Sequence, residues 1–326
     1  MQDTYRREIN YLRVSVTDKC NLRCIYCLPP EGIKSIPHEE ILRLEEIEAI
    51  IRGAALAGIK KIRLTGGEPL VRKGLAGLVR GISSIPGIDD ITLTTNGLLL
   101  PSQAAELKEA GVKRVNISLD TLKEERYREI TRGGELAEAW EGIQSALDVG
   151  LTPVKINTVV IRGFNDDEVE ELARLTLKMP LHIRFIELMP IGTCNTWTEG
   201  RFVPAKEIMD KITRGIGTLH PVKMAEGDGP AKYCRFDGAE GTIGFITSMS
   251  EHFCENCNRL RLTSSGGLRP CLYDGREVDL KTPLRRGAGD REIADLIMTA
   301  VDLKPDRHHM LEGWKDKKRV MSQIGG

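Results

Sequence analysis

The sequence carries no excess of either charge sign: its 326 residues include 47 lysines and arginines against 47 aspartates and glutamates. It also lacks a polybasic run, so no attraction to nucleic acid or an anionic membrane surface is expected, and an anionic ligand must meet a local cluster. No apolar stretch approaches the roughly 18 residues needed to span a bilayer. The polar start, MQDTYRRE, lacks the apolar core of a secretion signal. These absences predict a cytoplasmic protein with neither nucleic acid nor membrane as partner. A reducing compartment argues against disulfides among the eight cysteines and turns attention to metal binding or catalysis.

What is present is a repeat. From residue 9 to about 190 a short alternating run followed by a helical pattern recurs, reading as βα units. The predicted strands are 9–16, 61–65, 91–95, 113–119, 154–161 and 182–188. A helix is expected over 39–57, where Ile41, Leu44, Ile47 and Ile51 recur at helical spacing and Gly58 offers a stop. Asn165, Asp166 and Asp167 are candidate N-caps for a helix ending near Lys178. Helices cover one face of a βα layer, so the apolar strand side belongs there. That parity turns Arg13, Ser15, Arg63, Thr65, Thr92, Thr94, Asn116, Ser118, Lys155 and Asn157 toward the lumen. A complete barrel fills its interior with packed apolar side chains. Six units with a polar, cationic lining therefore predict an α/β fold of a different kind, a partial (βα)6 TIM-like barrel open to a polar ligand. The expected division is 1–200 for this barrel and 201–326 for a smaller, turn-rich C-terminal region that closes it. Within that region 259–263 and 268–272, joined by Ser264-Ser265-Gly266-Gly267, read as a hairpin.

Six cysteines fall into two groups, and Cys194 and Cys234 stand apart as ordinary thiols. Cys20, Cys24 and Cys27 follow the first strand, at the end where barrel ligands gather. Three thiolates at spacings of four and three residues can hold a 4Fe-4S cluster and leave its fourth iron without a protein ligand. A zinc knuckle would need a fourth ligand, and His38 is the nearest histidine, in a different local pattern. These cysteines, with Tyr26 before the last and Gly66-Gly67-Glu68-Pro69 after the second strand, resemble the radical S-adenosylmethionine superfamily. That resemblance implies that the cluster binds and cleaves S-adenosylmethionine.

Cys254, Cys257 and Cys271 again count three, and the hairpin would return Cys271 beside the other two. A second 4Fe-4S cluster with an open iron is one reading; zinc completed by His252 or Cys234 is the other. Arg259 and Arg261 share one face of the hairpin strand. With Arg13, Arg63 and Lys155 they describe a site for a polyanion such as a nucleoside triphosphate; a solvated strand face is the plainer alternative.

The whole set resembles one family over essentially the full length, the GTP 3′,8-cyclases of molybdenum cofactor biosynthesis. The residues carrying it are the Cys20 group, Ile117-Ser118-Leu119-Asp120, Phe185-Ile186-Glu187-Leu188-Met189-Pro190, Gly229-Pro230-Ala231, Cys254-Glu255-Asn256-Cys257-Asn258-Arg259-Leu260-Arg261, Cys271 and Ile324-Gly325-Gly326. Leu28 departs from the methionine common there, apolar for apolar. The resemblance implies a lyase that cyclises GTP to (8S)-3′,8-cyclo-7,8-dihydroguanosine 5′-triphosphate with two 4Fe-4S clusters. It implies S-adenosylmethionine contacts at Tyr26, Gly67, Ser118 and Met189. It implies GTP contacts at Arg13, Arg63, Thr94, Lys155, Arg259, Leu260 and Arg261, and a tail, Gly325 and Gly326, that enters the site and assists there. No residue is assigned as acid or base. A low-potential electron donor of the flavodoxin or ferredoxin type is expected, and a homodimer is compatible with the chain. A peptide-modifying radical enzyme and a non-catalytic zinc-binding protein remain the rival readings.

Overall fold

The alternating runs become β1 (Tyr11–Ser15), β2 (Lys61–Thr65), β3 (Asp90–Thr95), β4 (Arg114–Ser118), β5 (Val154–Val160) and β6 (Leu181–Glu187). The computed structural model describes residues 1–33, 36–190, 199–223, 229–309 and 319–325. Helices between and after these strands are α1 (Leu44–Leu56), α2 (Leu75–Ser83), α3 (Leu100–Ala110), α4 (Glu124–Thr131), α5 (Leu136–Asp148), α6 (Val169–Lys178) and α7 (Ala205–Gly215). The later chain adds β7 (His220–Val222), β8 (Lys232–Arg235), β9 (Thr242–Ile246), β10 (Arg259–Leu262), β11 (Gly267–Arg269) and β12 (Val278–Asp279), then α8 (Lys281–Arg285) and α9 (Asp290–Asp302). None of the described helices is long and apolar enough to cross a membrane.

The strand faces divide as the alternation requires. Leu12, Val14, Ile62, Leu64, Ile117 and Ile156 are at most 1% exposed and belong to the core beneath the helices. Each such side chain contributes about 1.5–3 kcal/mol by leaving water. Helix α1 supplies Ile47, Ile50, Ile51 and Ala54 to the same core. It begins later than the 39–57 pattern suggests, because the Arg43 N–H is taken by the Glu46 side chain at 2.7 Å and residues His38–Glu40 form a separate 3-10 turn. Gly58, at φ +102°, ends it as expected. Gly53 allows close packing of α9, since a Cβ there would collide with Ile293.

The caps expected for α6 are a correction. The helix starts at Val169 after Glu168, which makes no side-chain cap. Asn165 instead accepts the Ile161 N–H at 2.7 Å and donates to the Asp120 and Val159 carbonyls. Asp166 accepts the Gly163 N–H, and Asp167 pairs with Lys123 and Arg126. These side chains organise the preceding turn, a local alternative to capping.

Among the described residues the sheet has 12 strands in the order β12-β11-β10-β1-β2-β3-β4-β5-β6-β9-β8-β7 and is not closed by hydrogen bonds. The expected hairpin forms as β10 and β11, with Arg261 opposite Arg269 and Leu262 opposite Leu268. The sequence pattern did not anticipate that both flanks of the barrel are extended in parallel, β10 onto β1 and β9 onto β6. The open α/β barrel is thus continued at both edges by strands from the C-terminal region.

Candidate active site

Register decides where the cysteines go. The Cys20 group leaves the C-terminal end of β1, whereas Cys257 precedes β10, whose first residue lies opposite Tyr11 at the start of β1. Cys271 follows β11, which runs antiparallel to β10 and so returns to that same end. The two triads therefore sit toward opposite ends of the strands, and all six cysteines line one cavity of about 310 Å3. Between them the parallel register aligns Arg261, Arg13 and Arg63 as direct neighbours on three adjacent strands.

Around the first triad the glycines have a steric reason. A Cβ on Gly66 would collide with the Thr17 carbonyl and one on Gly67 with the Lys19 carbonyl. The chain leading to Cys20 passes directly over them, with Gly67 N–H donating to Thr17 O and Glu68 N–H to Lys19 O at 2.8 Å. Glu68 is fully enclosed and accepts from Leu70 N, Thr95 Oγ1 and Asn96 N at 2.7–3.0 Å; burial pushes its carboxyl up to about 7. Tyr26 donates its hydroxyl to Asp120 Oδ2 at 2.7 Å, and Val159 N–H donates to Asp120 Oδ1 at 2.8 Å. Burial raises Asp120 to about 6. Burial lifts the Cys20 thiol to about 11, and burial together with the charges of Cys27, Asp120 and Cys20 lifts Cys24 as well. Clustered thiols in such surroundings ionise when a metal bonds them, which fits a cluster-binding donor set.

The second triad is electrostatically different. Burial alone would raise the Cys257 thiol, but Arg259 and Lys304 bring it down to about 6. Lys304 Nζ lies 3.5 Å from Cys257 Sγ, and the His308 N–H faces Cys254. This set also suits an iron-sulfur cluster. The zinc reading is partly legible here: His252, Cys254 and His308 present ligand atoms within 4.8 Å of one another. The two rings, however, meet each other at 2.9 Å, and His308 Nε2 also meets Ser248 O at 3.0 Å. Cys234 is a buried thiol on β8, toward the other edge of the sheet, and Cys194 lies outside the described residues.

Comparison with known proteins agrees with this geometry. Residues 14–176 match the Radical SAM superfamily and residues 181–310 match Molybdenum Cofactor Synthesis C. A GTP 3',8-cyclase of Pelotomaculum thermopropionicum is 73% identical over 326 residues, covering 100% of both chains. The GTP 3',8-cyclases of Desulforamulus reducens and Moorella thermoacetica are 56% and 57% identical, again over the full length of each. The chain belongs to the GTP 3',8-cyclase family. Enzymes of this family carry two 4Fe-4S clusters and use S-adenosylmethionine, and they act in molybdenum cofactor biosynthesis. The fold is shared more widely. The crystal structure of Streptococcus suis SuiB bound to S-adenosylmethionine superposes with a TM-score of 0.59 at 16% identity, over 88% of this chain and 68% of that one.

Of the cyclase-family residues expected from the sequence, Tyr26, Gly67, Ser118, Met189, Arg13, Arg63, Thr94, Arg259 and Arg261 all reach the cavity wall with the six cysteines. Lys155 does not; it lies deeper on β5, two residues before the cavity-lining Asn157, and is 3% exposed. Leu260 points to the opposite face of β10 and joins the core, as alternation demands of a residue between Arg259 and Arg261. Gly325 is reached through its carbonyl, which accepts from Arg13 Nη2 at 3.0 Å and Arg261 Nη1 at 3.2 Å. Gly326 lies outside the described residues.

Arg184 is the residue the sequence reading passed over. It lines the cavity from β6, donates to Asn116 Oδ1 at 2.8 Å, and has a buried Nε without a partner among the described residues. Strand parity on β6 would have found it, since Leu181, Ile183 and Phe185 alternate with His182 and Arg184; only Ile186 and Glu187 break the pattern. Glu187 has no free oxygen for chemistry. It accepts from Ala205 N, Met249 N and Ser250 N at 2.8–2.9 Å, and from the Ser250 hydroxyl.

Proposed function

We propose that this chain cyclises GTP to (8S)-3′,8-cyclo-7,8-dihydroguanosine 5′-triphosphate. Cys20, Cys24 and Cys27 would hold the first 4Fe-4S cluster, and Cys254, Cys257 and Cys271 the second. When bound, the first cluster would supply the electron that cleaves S-adenosylmethionine, and the second would supply an iron site for the guanine. The observation that carries the reading is the Arg261-Arg13-Arg63 row lying between two cysteine triads.

The protein's own part is positioning and electrostatics. The three arginines of the row, with Arg259 and the deeper Arg184 and Lys155, favour the triphosphate. Arg13 is lowered well below its usual range by burial and by the charges of Arg261 and Arg63, and Arg261 falls to about 10 through burial and Arg259. Mutual repulsion of this kind is relieved when a polyanion enters, so part of the binding energy is held in the free site. Thr94 would orient the ligand beside them. Tyr26, fixed by Asp120, and Gly67, whose missing side chain leaves backbone open, would place S-adenosylmethionine together with Ser118 and Met189. Residues 1–200 would carry the radical chemistry and 201–326 the second cluster and the tail. A flavodoxin- or ferredoxin-type donor would deliver electrons.

Anaerobically reconstituted protein is expected to hold two clusters by iron and sulfide analysis and to consume GTP. An Arg261→Ala variant should keep both clusters and bind GTP about ten- to hundredfold more weakly, the worth of a charge-assisted contact of about 1.5–3 kcal/mol. Unchanged affinity would remove the arginine row from the reading.

A further inference from the structure

Lys304 lies two residues beyond α9 and is 3% exposed. Its ammonium has three donors and no acceptor, and the surroundings provide three acceptors. Nζ meets Pro270 O at 2.8 Å, Arg259 O at 2.9 Å and Cys257 Sγ at 3.5 Å. Two of these acceptors are carbonyls adjacent to, or two residues from, the cysteines Cys271 and Cys257.

A buried ammonium costs several kcal/mol unless an anion compensates it. Among the described residues no carboxylate pairs with Lys304, and carbonyl oxygens carry no net charge. The anionic partner within reach is the sulfur of Cys257. The segment that presents Lys304 is itself pinned: Arg7, 7% exposed and paired with Asp3 at 2.6 Å, donates to Pro305 O, Asp306 O and Cys254 O at 2.6–2.9 Å. Arg7 thereby ties the N-terminus, the 305–306 backbone and the backbone of Cys254 together beside Lys304.

We propose that Lys304 is a positioning residue that tunes the second cluster, raising its reduction potential through charge and a hydrogen bond to a ligand sulfur. The inference rests on the reading above that Cys254, Cys257 and Cys271 hold that cluster. Reduction adds negative charge to a cluster, and a fixed ammonium donating to a thiolate stabilises the reduced form.

The test is an EPR-monitored redox titration of the full-length reconstituted enzyme, wild type beside Lys304→Gln and Lys304→Arg, with iron and sulfide counted on each sample. Lys304→Gln should retain both clusters and shift the midpoint potential of the second to more negative values, with the first cluster unmoved as the internal reference. Lys304→Arg, which restores the charge, should return the midpoint toward wild type. An unchanged midpoint in Lys304→Gln would overturn the proposal. So would loss of the second cluster from both variants, which would make Lys304 a structural clamp only. A wild-type protein holding a single cluster would instead refute the underlying reading of the second triad, and the iron count separates the two failures.

Discussion

Lys155 shows how a single residue can report on ligand binding. Burial, then the charges of Arg184, Arg114 and Arg63, lower its ammonium from the ordinary 10.5 to about 7. A polyanion in the adjoining cavity favours the charged form and moves the pKa back up. The sign follows directly: at pH 8 the free site holds Lys155 mostly neutral, the complex holds it charged, and GTP binding takes up a proton. At pH 6 the residue is charged in both states and the uptake disappears. Calorimetry in buffers of different ionisation enthalpy should show uptake at pH 8 that Lys155→Met abolishes; uptake persisting in the variant would place the proton elsewhere. At this scale the sequence was readable where alternation is clean. Arg13, Arg63, Thr94 and Ser118 were assigned to the lumen from parity alone, because apolar and polar residues alternate along their strands even though both faces are largely buried. Glu68, Asp120 and Glu187 were not readable, because their partners are backbone amides and hydroxyls brought from distant loops by the fold.

Elements explain the spacing of the cysteine loop and the glycine pair. The loop that leads from β1 to Cys20 rests on Gly66 and Gly67, so the paired glycines serve the protein's own packing as well as any ligand. Gly67→Ala should force the Lys19 carbonyl away and displace Cys20. Iron analysis of the reconstituted variant should then show the second cluster retained and the first depleted by half or more. Equal retention of both would mean the loop relaxes without consequence. The hairpin of β10 and β11 was legible from its turn and from the alternation of Arg259 to Leu262. Its parallel docking onto β1 was not, since non-local strand pairing leaves no mark in a local pattern. That docking is what sets Arg261 beside Arg13. The start of α6 was misplaced for a related reason: Asn165, Asp166 and Asp167 have capping chemistry, but turn and ion-pair partners claim them first.

For the whole molecule, the open sheet leaves a cavity that the chain's own end helps to close. Ile324 is fully buried, Met321 and Ser322 line the cavity, and the Gly325 carbonyl is held by Arg13 and Arg261. Gly325 adopts φ +81° with Thr65 and Ser15 close by, a conformation and a clearance that suit glycine. Deleting Gly325 and Gly326 should therefore abolish product while leaving both clusters in place; full turnover by the truncated protein would contradict this. The central claim is that this architecture brings the ribose of GTP to a radical generated at the first triad. It is tested most directly by turnover with GTP deuterated at the ribose 3′ position, followed by mass spectrometry of 5′-deoxyadenosine. Deuterium in the 5′-deoxyadenosine is the result expected, and productive turnover without deuterium transfer would contradict the account.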